Sequence, residues 1–335
     1  MTAHLLQRAR TRQVDVSVVV ATYDAGRWDE LDACVSALTR QTVAPREVIV
    51  VVDHNAELFE RATDAFPSAT VIENHHRRGL AGARNMGIEA ASGSIIAFVD
   101  DDARPEPDWL ERLHACFAAP SVVGAGGALL PRWANGVPRW LPREFYWVFG
   151  CSYAGLPERL APVRNPIGAN MAVRTETLKE IGGFREGGAG EEPRAIRSRG
   201  VVRAQGNVPD DTDLAIRVKQ RWPGSTWLYE PEAKVHHTVT WERASLSYFL
   251  RRSFEEGAGK ARLAGFVGSA DGLSSERRHL YVVLPRGLWR GMRDLFEGDP
   301  QGGLRALAIV VGTLSSAAGF LLTRLRRAFE RDESR

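Results

Sequence analysis

Cysteine is scarce in this sequence of 335 residues: there are three, far apart along the chain, and no two of them form a CxxC pair. This scarcity excludes a disulfide scaffold and a zinc ribbon, and it favours a reducing compartment. The N-terminus also lacks the apolar run of a secretory signal, so we expect a cytoplasmic protein. With 32 glycines and 17 prolines, the chain has too few of either for a low-complexity or disordered polypeptide.

The formal net charge is small, at +3 with neutral histidines, and it is unevenly distributed. The segment 243–335 has an excess of basic residues, whereas the rest of the chain is mildly acidic. An acidic body predicts that the protein does not bind nucleic acid. A basic tail suits an anionic surface and allows peripheral contact with the cytoplasmic face of a membrane.

Hydrophobic patterning in the first half predicts strands that alternate with helices. Four short apolar runs, at 16–20, 47–53, 70–73 and 94–100, are rich in β-branched residues. Continuous apolar runs of this kind suit strands that are covered on both faces of a parallel sheet. The segments between them have helical periodicity. The predicted fold class is therefore α/β: a doubly wound, mostly parallel sheet flanked by helices, with a helical C-terminal appendage.

Two later segments are each open to more than one interpretation. The stretch 131–166 is rich in proline and aromatic residues, and it predicts either core packing or a stacking wall for a ring-shaped ligand. The run 306–322 is uncharged and flanked by arginines. At about 1.5 Å per residue it is slightly shorter than a hydrocarbon core. A helix lying on a membrane, a buried or oligomer helix and a true span therefore all stay open.

Several motifs that would identify a common enzyme class are missing. The turn after the first strand is ATYDAG rather than GxGxxG, which removes the fingerprint of a dinucleotide site. The chain also has no P-loop, HExxH or GxSxG motif. What recurs instead is a carboxylate at the end of an apolar strand, and ligands bind at that edge of open α/β sheets.

The strongest group of carboxylates is Asp100, Asp101 and Asp102, at the end of the fourth apolar run. Three adjacent negative charges repel one another, so the arrangement is costly unless a cation neutralises it. Hard divalent ions such as Mg²⁺ and Mn²⁺ prefer oxygen ligands, commonly one or two carboxylates together with phosphate oxygens. The sequence therefore predicts a metal site here, with a solvated acidic turn as the alternative.

Three further positions carry candidate chemistry. Asp53 ends the second apolar run, where it either binds a base or ribose or caps a helix. Asp210 and Asp211 begin a helical segment, where the helix dipole favours the ionised carboxylate that a general base needs; simple capping is the alternative. His236 and His237 follow a strand, and packing is their commoner role. Because a carboxylate metal site is already indicated, one of them becomes a candidate ligand.

With these residues in view, the sequence resembles the family-2 glycosyltransferases of the GT-A fold over about 16–238. The family's opening strand and nucleotide-contacting turn resemble VSVVVATYD, and the segment leading into its DxD motif resembles GLAGARNMGIEAASGSIIAFVDDD. Its acceptor-side segment is similar to IGANMAVRTETLKEIGGF. Its EDxDL motif corresponds to DDTDLAIRV, where Asp210 replaces the usual glutamate, and its closing segment resembles YEPEAKVHH.

The resemblance implies a role for each matching residue. It implies that Asp211 is the catalytic base and that Asp102 and His237 bind the metal. Asp100 would contact the ribose or the metal shell, and Arg84 would contact the diphosphate, with a surface position on a helix as the alternative for Arg84. The other implied substrate-binding residues are Thr22, Asp24, Asp53, Asp101, Gly168, Asn170 and Asp210.

The reaction that the resemblance implies is inverting sugar transfer from a nucleotide diphosphate sugar. Mn²⁺ or Mg²⁺ would stabilise the leaving diphosphate, while Asp211 would deprotonate a hydroxyl of the acceptor, which is a glycan, a glycolipid or other lipid-linked molecule, or a cell-wall precursor. A sugar nucleotidyltransferase and a non-catalytic nucleotide-sugar-binding or membrane scaffold module stay open as alternatives, and so does an oligomeric state. The expected divisions are an N-terminal arm (1–13), a GT-A domain (14–241, with its nucleotide-sugar half at 14–130 and its acceptor half at 131–241) and a helical C-terminal region (242–335).

Overall fold

The computed structural model describes residues 13–186, 196–198, 201–203, 209–267 and 277–332. Apart from residue 13, the expected N-terminal arm lies outside this described part. The strands are β1 (Val16–Thr22), β2 (Glu47–Val52), β3 (Thr70–Glu73), β4 (Ile95–Asp100), β5 (Ala103–Pro105), β6 (Val122–Trp133), β7 (Ala161–Val163), β8 (Asn170–Arg174), β9 (Ile196–Ser198), β10 (Val201–Arg203) and β11 (Thr226–Val239).

Helices follow most of these strands, and local sequence signals set several of their ends. Asn55 caps the second helix because its side chain accepts a hydrogen bond from the backbone N–H of Leu58. Gly182 ends the fifth in the left-handed conformation, at φ 75°. The described α-helices are α1 (Trp28–Thr39), α2 (Ala56–Ala65), α3 (Leu80–Ala90), α4 (Trp109–Ala115), α5 (Thr175–Ile181), α6 (Asp210–Arg221), α7 (Leu246–Val267), α8 (Leu284–Phe296) and α9 (Pro300–Asp332).

A nine-stranded sheet forms the centre of the fold, in the order β3-β2-β1-β4-β8-β6-β11-β5, with β7 paired to β11. The first four strands in this order are parallel, as their β-branched apolar runs predicted. Beyond β4 the sheet is mixed, because β8 runs antiparallel to both β4 and β6, and β5 and β7 run antiparallel to β11. The carboxyl ends of β1, β2 and β4 therefore meet at one edge.

Successive residues of the central strands enter two separate cores, one on each face of the sheet. Val18 and Val20 of β1 pack in one core, and Val19 of the same strand packs in the other. The same alternation places Val50 in the first core and Val51 in the second. Because both faces are buried, these strands show no alternation of apolar and polar residues.

A third core joins the aromatic stretch 131–166 to the C-terminal helices. Phe145 and Phe149 are fully buried in it, together with Phe249 of α7, Leu284 of α8 and Ile309 of α9. Phe145 and Phe249 are in ring contact, with centroids 5.3 Å apart. Core packing is therefore the observed role of most aromatic side chains in this stretch. The predicted uncharged run 306–322 lies within α9.

Candidate active site

Side chains predicted from the strand-end pattern lie at the shared carboxyl edge of β1, β2 and β4. Asp100, the last residue of β4, is in register with Ala21 of β1. The next residue of β1, Thr22, is in register with Val52 of β2, which Asp53 follows. Since these strands are parallel, Thr22, Asp53 and Asp100 leave the sheet at the same edge, where ligands bind in folds of this kind.

Asp101 is buried below this edge and both of its oxygens have partners within the protein. Thr22 donates to Oδ2 at 2.7 Å, and Arg27 Nη1 donates to Oδ1 at 3.0 Å. Burial raises the pKa of Asp101 to about 6, although the charge of Arg27 opposes this shift. In this conformation Thr22 and Asp101, both predicted substrate contacts, are engaged with each other and stabilise the turn after β4.

Asp102 faces His237 because β5 pairs antiparallel with β11, and this places Ala103 opposite His237. Asp102 Oδ1 lies 2.9 Å from His237 Nδ1. The two atoms are misaligned for a hydrogen bond, and neither has another partner among the described residues. Arg27 Nη1 lies 3.2 Å from the other oxygen, Oδ2. Burial would raise the pKa of Asp102, but contact with His237 and the charge of Arg27 outweigh it and lower the pKa.

This pair fits a divalent cation. Two ligand atoms that each lie about 2.1 Å from an ion, at right angles to one another, are about 3.0 Å apart. The separation of Asp102 Oδ1 and His237 Nδ1 is 2.9 Å, and both are buried atoms in need of a partner. No group of three or more such ligands occurs among the described side chains. The chain would therefore supply two ligands, and substrate oxygens or water would supply the rest.

Arg243 restricts the tautomer of His237. Its Nη1 lies 3.2 Å from His237 Nε2. A guanidinium group can only donate, so Nε2 accepts and the ring proton of a neutral imidazole lies on Nδ1, towards Asp102. A cation bound at Nδ1 would require the ring proton to move to Nε2 and Arg243 to turn away from that nitrogen. Arg243 lies outside every motif recognised in the sequence, and nothing in the sequence pattern indicated its contact.

Arg84 connects the strand-end acids to α6. Its guanidinium is 3.1 Å from Asp100 Oδ1 through Nη2 and 3.0 Å from Asp210 Oδ2 through Nη1. The residue is only 3% exposed, so it is not the surface arginine of the alternative prediction. Burial would lower its pKa, but the charges of Asp210 and Asp100 outweigh burial and raise it. Arg84 is therefore a charged bridge between two candidate sites that are 110 residues apart in the chain.

Asp211 lies beside this bridge, in the first turn of α6. Its Oδ2 accepts from the backbone N–H of Gly168 at 3.0 Å, and its Oδ1 accepts from the N–H of Thr212 at 2.6 Å. Burial raises its pKa to about 6, and the adjacent charge of Asp210 adds to the increase. A carboxylate with this pKa is mostly ionised at neutral pH and is a stronger base than an exposed aspartate, as a general base must be.

Asp53 and Asp24, the other predicted nucleotide contacts, hold local structure in different ways. Asp53 accepts from Asn74 Nδ2 at 2.6 Å and from the N–H of Gly79 at 2.9 Å, and His54 Nδ1 lies 2.8 Å from its Oδ1. Asp24 is exposed and accepts from the N–H of Gly26 at 2.9 Å. Asp53 is thus buried and engaged, whereas Asp24 remains accessible at the end of β1.

Asn170 is fully buried, and its amide is saturated by the fold. It accepts from Trp109 Nε1 at 2.7 Å and donates to the carbonyl oxygens of Ala128 and Ala233 at 3.0 and 2.9 Å. These hydrogen bonds connect β8 with α4, β6 and β11. The role that this geometry favours for Asn170 is therefore structural. Gly168, two residues earlier, is the residue whose backbone N–H donates to Asp211.

Sequence reasoning missed three residues that contact the predicted site residues of this edge: Arg27 at Asp101 and Asp102, Asn74 at Asp53, and Arg243 at His237. The only available signal was indirect: three consecutive acids need compensating cations, but the sequence does not say which arginines approach them. Arg27 lies five residues after the end of β1, and Arg243 lies four residues after the end of β11. Their contacts are made by the tertiary fold.

Comparison with known proteins gives consistent matches. Residues 17–182 match the family model described as "Glycosyl transferase family 2". The glucosyl-dolichyl phosphate glucuronosyltransferase of Haloferax volcanii is 31% identical over 249 residues, which are 73% of this chain and 76% of that protein. The succinoglycan biosynthesis protein ExoM of Rhizobium meliloti is 25% identical over 256 residues, 74% of each chain.

A solved structure shows the likeness in fold. The mannosyltransferase PcManGT from Pyrobaculum calidifontis, in complex with GDP-Man and Mn²⁺, has a TM-score of 0.55 and 18% sequence identity, over 93% of this chain and 88% of that one. At this identity the likeness concerns the fold alone. It confirms the expected α/β architecture, with a central sheet flanked by helices as in the GT-A glycosyltransferases.

Proposed function

Because the chain belongs to glycosyltransferase family 2, we propose that it transfers a sugar from a nucleotide diphosphate sugar to a hydroxyl of a lipid-linked acceptor, with inversion at the anomeric carbon. The observation that carries this proposal is that four segments far apart in the chain supply neighbouring side chains. These are Asp100 and Asp102, Arg84, Asp210 and Asp211, and His237. Asp102 meets His237, and Asp100 is joined through Arg84 to Asp210, the neighbour of Asp211.

The donor would bind at the edge formed by β1, β2 and β4. Accessible Asp24 suits the nucleoside, where a carboxylate accepts hydrogen bonds from a base or a ribose. Asp53, whose oxygens are engaged by Asn74, Gly79 and His54, would reach the nucleoside only by giving up one of these partners. Asp102 and His237 would hold Mn²⁺ or Mg²⁺, which when bound supplies positive charge to the leaving diphosphate. The presence of Mn²⁺ and GDP-Man in the structurally similar mannosyltransferase supports this part of the proposal.

On the acceptor side, Asp211 would take the proton of the attacking hydroxyl. The hydrogen bonds from Gly168 and Thr212 hold its carboxylate in a fixed orientation, and its raised pKa strengthens it as a base. Among the described residues Asp211 is the proposed base and no side chain beside it is proposed as a nucleophile, which suits direct displacement with inversion of the anomeric centre. A lipid-linked acceptor is favoured over a free glycan because the relative at 31% identity is named for glucosyl-dolichyl phosphate.

The substitution Asp211→Asn tests the proposal. It removes the basic oxygen while keeping the size of the side chain, so we expect kcat to fall by about 10²–10⁴-fold. Donor affinity in the presence of Mn²⁺ should stay close to that of the wild type, as titration calorimetry would measure. Wild-type kcat in this variant would remove Asp211 from its proposed role.

Asp213→Asn is the matched control, because it makes the same chemical change in the same turn of α6. The carboxylate of Asp213 is directed to Arg217, at 2.7 Å, and to Arg185, at 3.3 Å, rather than to Asp211 or Gly168. We expect this variant to lose thermal stability but to keep kcat. Melting temperatures of both variants separate a catalytic effect from unfolding.

The two alternative functions give different results in the same assays. A sugar nucleotidyltransferase would release pyrophosphate from a nucleoside triphosphate, which a coupled assay detects. A non-catalytic module would bind a sugar nucleotide without releasing nucleoside diphosphate. A screen of UDP-, GDP- and dTDP-sugars with Mn²⁺ and Mg²⁺, read as nucleoside diphosphate release, distinguishes both from a glycosyltransferase.

A further inference from the structure

The inner face of α9 is covered by α7. Ser316 Oγ donates to the carbonyl oxygen of Ser253 at 2.9 Å. A Cβ atom added to Gly319 would overlap the carbonyl oxygen of Phe254, so the two backbones are in direct contact. Small residues thus allow the helices to pack closely, and this face of α9 is buried against α7.

The outer face of α9 exposes a row of leucines, which we call the leucine strip: Leu304, Leu307, Leu314, Leu321 and Leu325. Spacings of three, four and seven residues keep them on one side of the helix. At about 1.5 Å per residue the strip extends over about 32 Å. A continuous apolar surface of this length marks a contact with another protein or with lipid.

The packing of α9 disfavours a transmembrane position. In the described residues, Pro300–Ala328 is the one segment long and apolar enough to cross a membrane. Its packing partner α7, however, carries Arg251, Arg252, Glu255 and Lys260. Charged side chains in the hydrocarbon core are costly. Because α7 covers the inner face of α9, the pair suits a position along a membrane surface rather than across it.

The preceding helix, α8, has the composition of a helix that lies in a lipid interface. Trp289, Met292 and Phe296 form an exposed apolar strip, with Trp289 74% exposed. Gly287 and Gly291 are on the opposite face, where they contact Glu144 and α9. Between the two faces lie the arginines, Arg286, Arg290 and Arg293, of which Arg290 is paired with the buried Glu144.

We propose that α8 and α9 form a lipid-binding surface that holds the protein in the plane of an anionic membrane. Charge identifies the occupant. The segment 284–328 has seven arginines and three acidic residues, so a second copy of the chain would match the leucine strip but would place two net-positive surfaces against each other. Phosphate headgroups match the arginines while acyl chains cover the tryptophan and the leucines, which is how basic amphipathic helices bind membranes.

The helix that carries the leucine strip packs on the same core as the strand that carries His237. Ile309 of α9 and Val239 of β11 belong to the same apolar core, and Val239 lies two residues beyond His237. This consequence rests on the proposed function: a lipid-linked acceptor would approach the catalytic edge from the membrane to which α8 and α9 bind. Membrane binding itself requires neither donor nor acceptor.

Flotation with lipid vesicles tests the inference, using the full-length chain without metal or sugar nucleotide. We expect the wild type to float with vesicles of phosphatidylglycerol and phosphatidylcholine, and to bind pure phosphatidylcholine more weakly. Leu314→Glu should lower the partition coefficient by about tenfold or more, because a leucine no longer enters the interface. The matched control is Leu160→Glu, a leucine of similar exposure outside α8 and α9 (53% against 63%), which should float as the wild type does.

A second variant tests the charge argument. Arg286→Gln combined with Arg293→Gln should weaken binding to anionic vesicles roughly tenfold and leave binding to neutral vesicles unchanged. Melting curves of all variants establish that they are folded. Because Leu314 and both arginines are exposed, we expect their melting temperatures to match that of the wild type.

Three outcomes would overturn the inference. One is equal partition of wild type and Leu314→Glu, or no flotation of either. Another is a wild-type dimer in solution that Leu314→Glu dissociates, which would assign the leucine strip to a protein interface. The third is resistance of the membrane-bound wild type to extraction by alkaline carbonate, which would indicate a span. If the protein transfers sugar to a soluble acceptor but does not float with vesicles, the membrane inference is refuted and the proposed function is retained.

Discussion

The pH dependence of sugar transfer is expected to follow the raised pKa of Asp211. Burial and the charge of Asp210 raise this pKa from 3.8 to about 6. A general base acts only when deprotonated, so activity is lost as the pH falls through the pKa of the folded enzyme. With that pKa the carboxylate is about 99% ionised at pH 8 and about 9% ionised at pH 5, whereas an ordinary aspartate is about 94% ionised at pH 5. We therefore expect kcat to fall about tenfold between pH 8 and pH 5.

The acidic limb of the profile needs a second measurement to assign it to Asp211. Asp101 also has a pKa raised to about 6, by burial. Asp210→Asn distinguishes the two, because Asp210 is adjacent to Asp211 and Asp101 is not in contact with it. The substitution removes a neighbouring negative charge and leaves Arg84 without that partner, and both changes lower the pKa of Asp211. The limb in kcat should therefore move to lower pH, by about one unit.

The assay is nucleoside diphosphate release under saturating donor and acceptor, so that kcat reports the enzyme-substrate complex. Each variant is measured from pH 5 to pH 8 with its melting temperature recorded at both ends. A profile that stays flat to pH 5 would refute the raised pKa. A limb near pH 6 that does not move in Asp210→Asn would assign the titration to a group other than Asp211.

Two further predictions concern the packing that supports this edge. Gly127→Ala would place a Cβ on the carbonyl oxygen of Ala233, so we expect loss of soluble folded protein. The control is Gly224→Ala, because no described atom lies within 4 Å of a Cβ added there, and it should express normally. Asn170→Ala leaves Trp109 Nε1 and two carbonyl oxygens without their buried partner. At about 1–3 kcal/mol for each unsatisfied group, it should markedly lower the free energy of unfolding in a urea titration. An unfolding free energy within about 1 kcal/mol of wild type would contradict the structural role of Asn170.

The strands and the positions of the acids could be predicted from sequence because both depend on local patterns. Continuous β-branched runs identify buried parallel strands, and a residue that ends such a run lies at the carboxyl edge whatever the rest of the fold does. For this reason Asp53 and Asp100 were placed correctly at the edge. The mixed second half was less predictable, since the direction of β8 depends on the long segment between β6 and β8 and not on its own sequence.

The partners of the acids could not be predicted, because they arise from residues brought together only by folding. Arg84 was recognised by resemblance, yet its two ion pairs to Asp100 and Asp210 join the fourth strand to the sixth helix. Arg27 and Arg243 gave no local signal. Asn170 was assigned to substrate by its position in a motif, but a buried amide with three hydrogen bonds is held by the fold.

The adjacent acids Asp210 and Asp211 can act differently because their partners differ. Asp210 is paired with a buried guanidinium, which occupies one of its oxygens. Within the described part of the chain, Asp211 accepts hydrogen bonds from backbone N–H groups and the Thr212 hydroxyl. It is desolvated beside a like charge, and these effects outweigh the charge of Arg84 and raise its pKa. The chain has aspartate at 210 where the family commonly has glutamate, and the shorter side chain still reaches Arg84 at 3.0 Å. The replacement therefore preserves the charge beside Asp211 that makes it the stronger base.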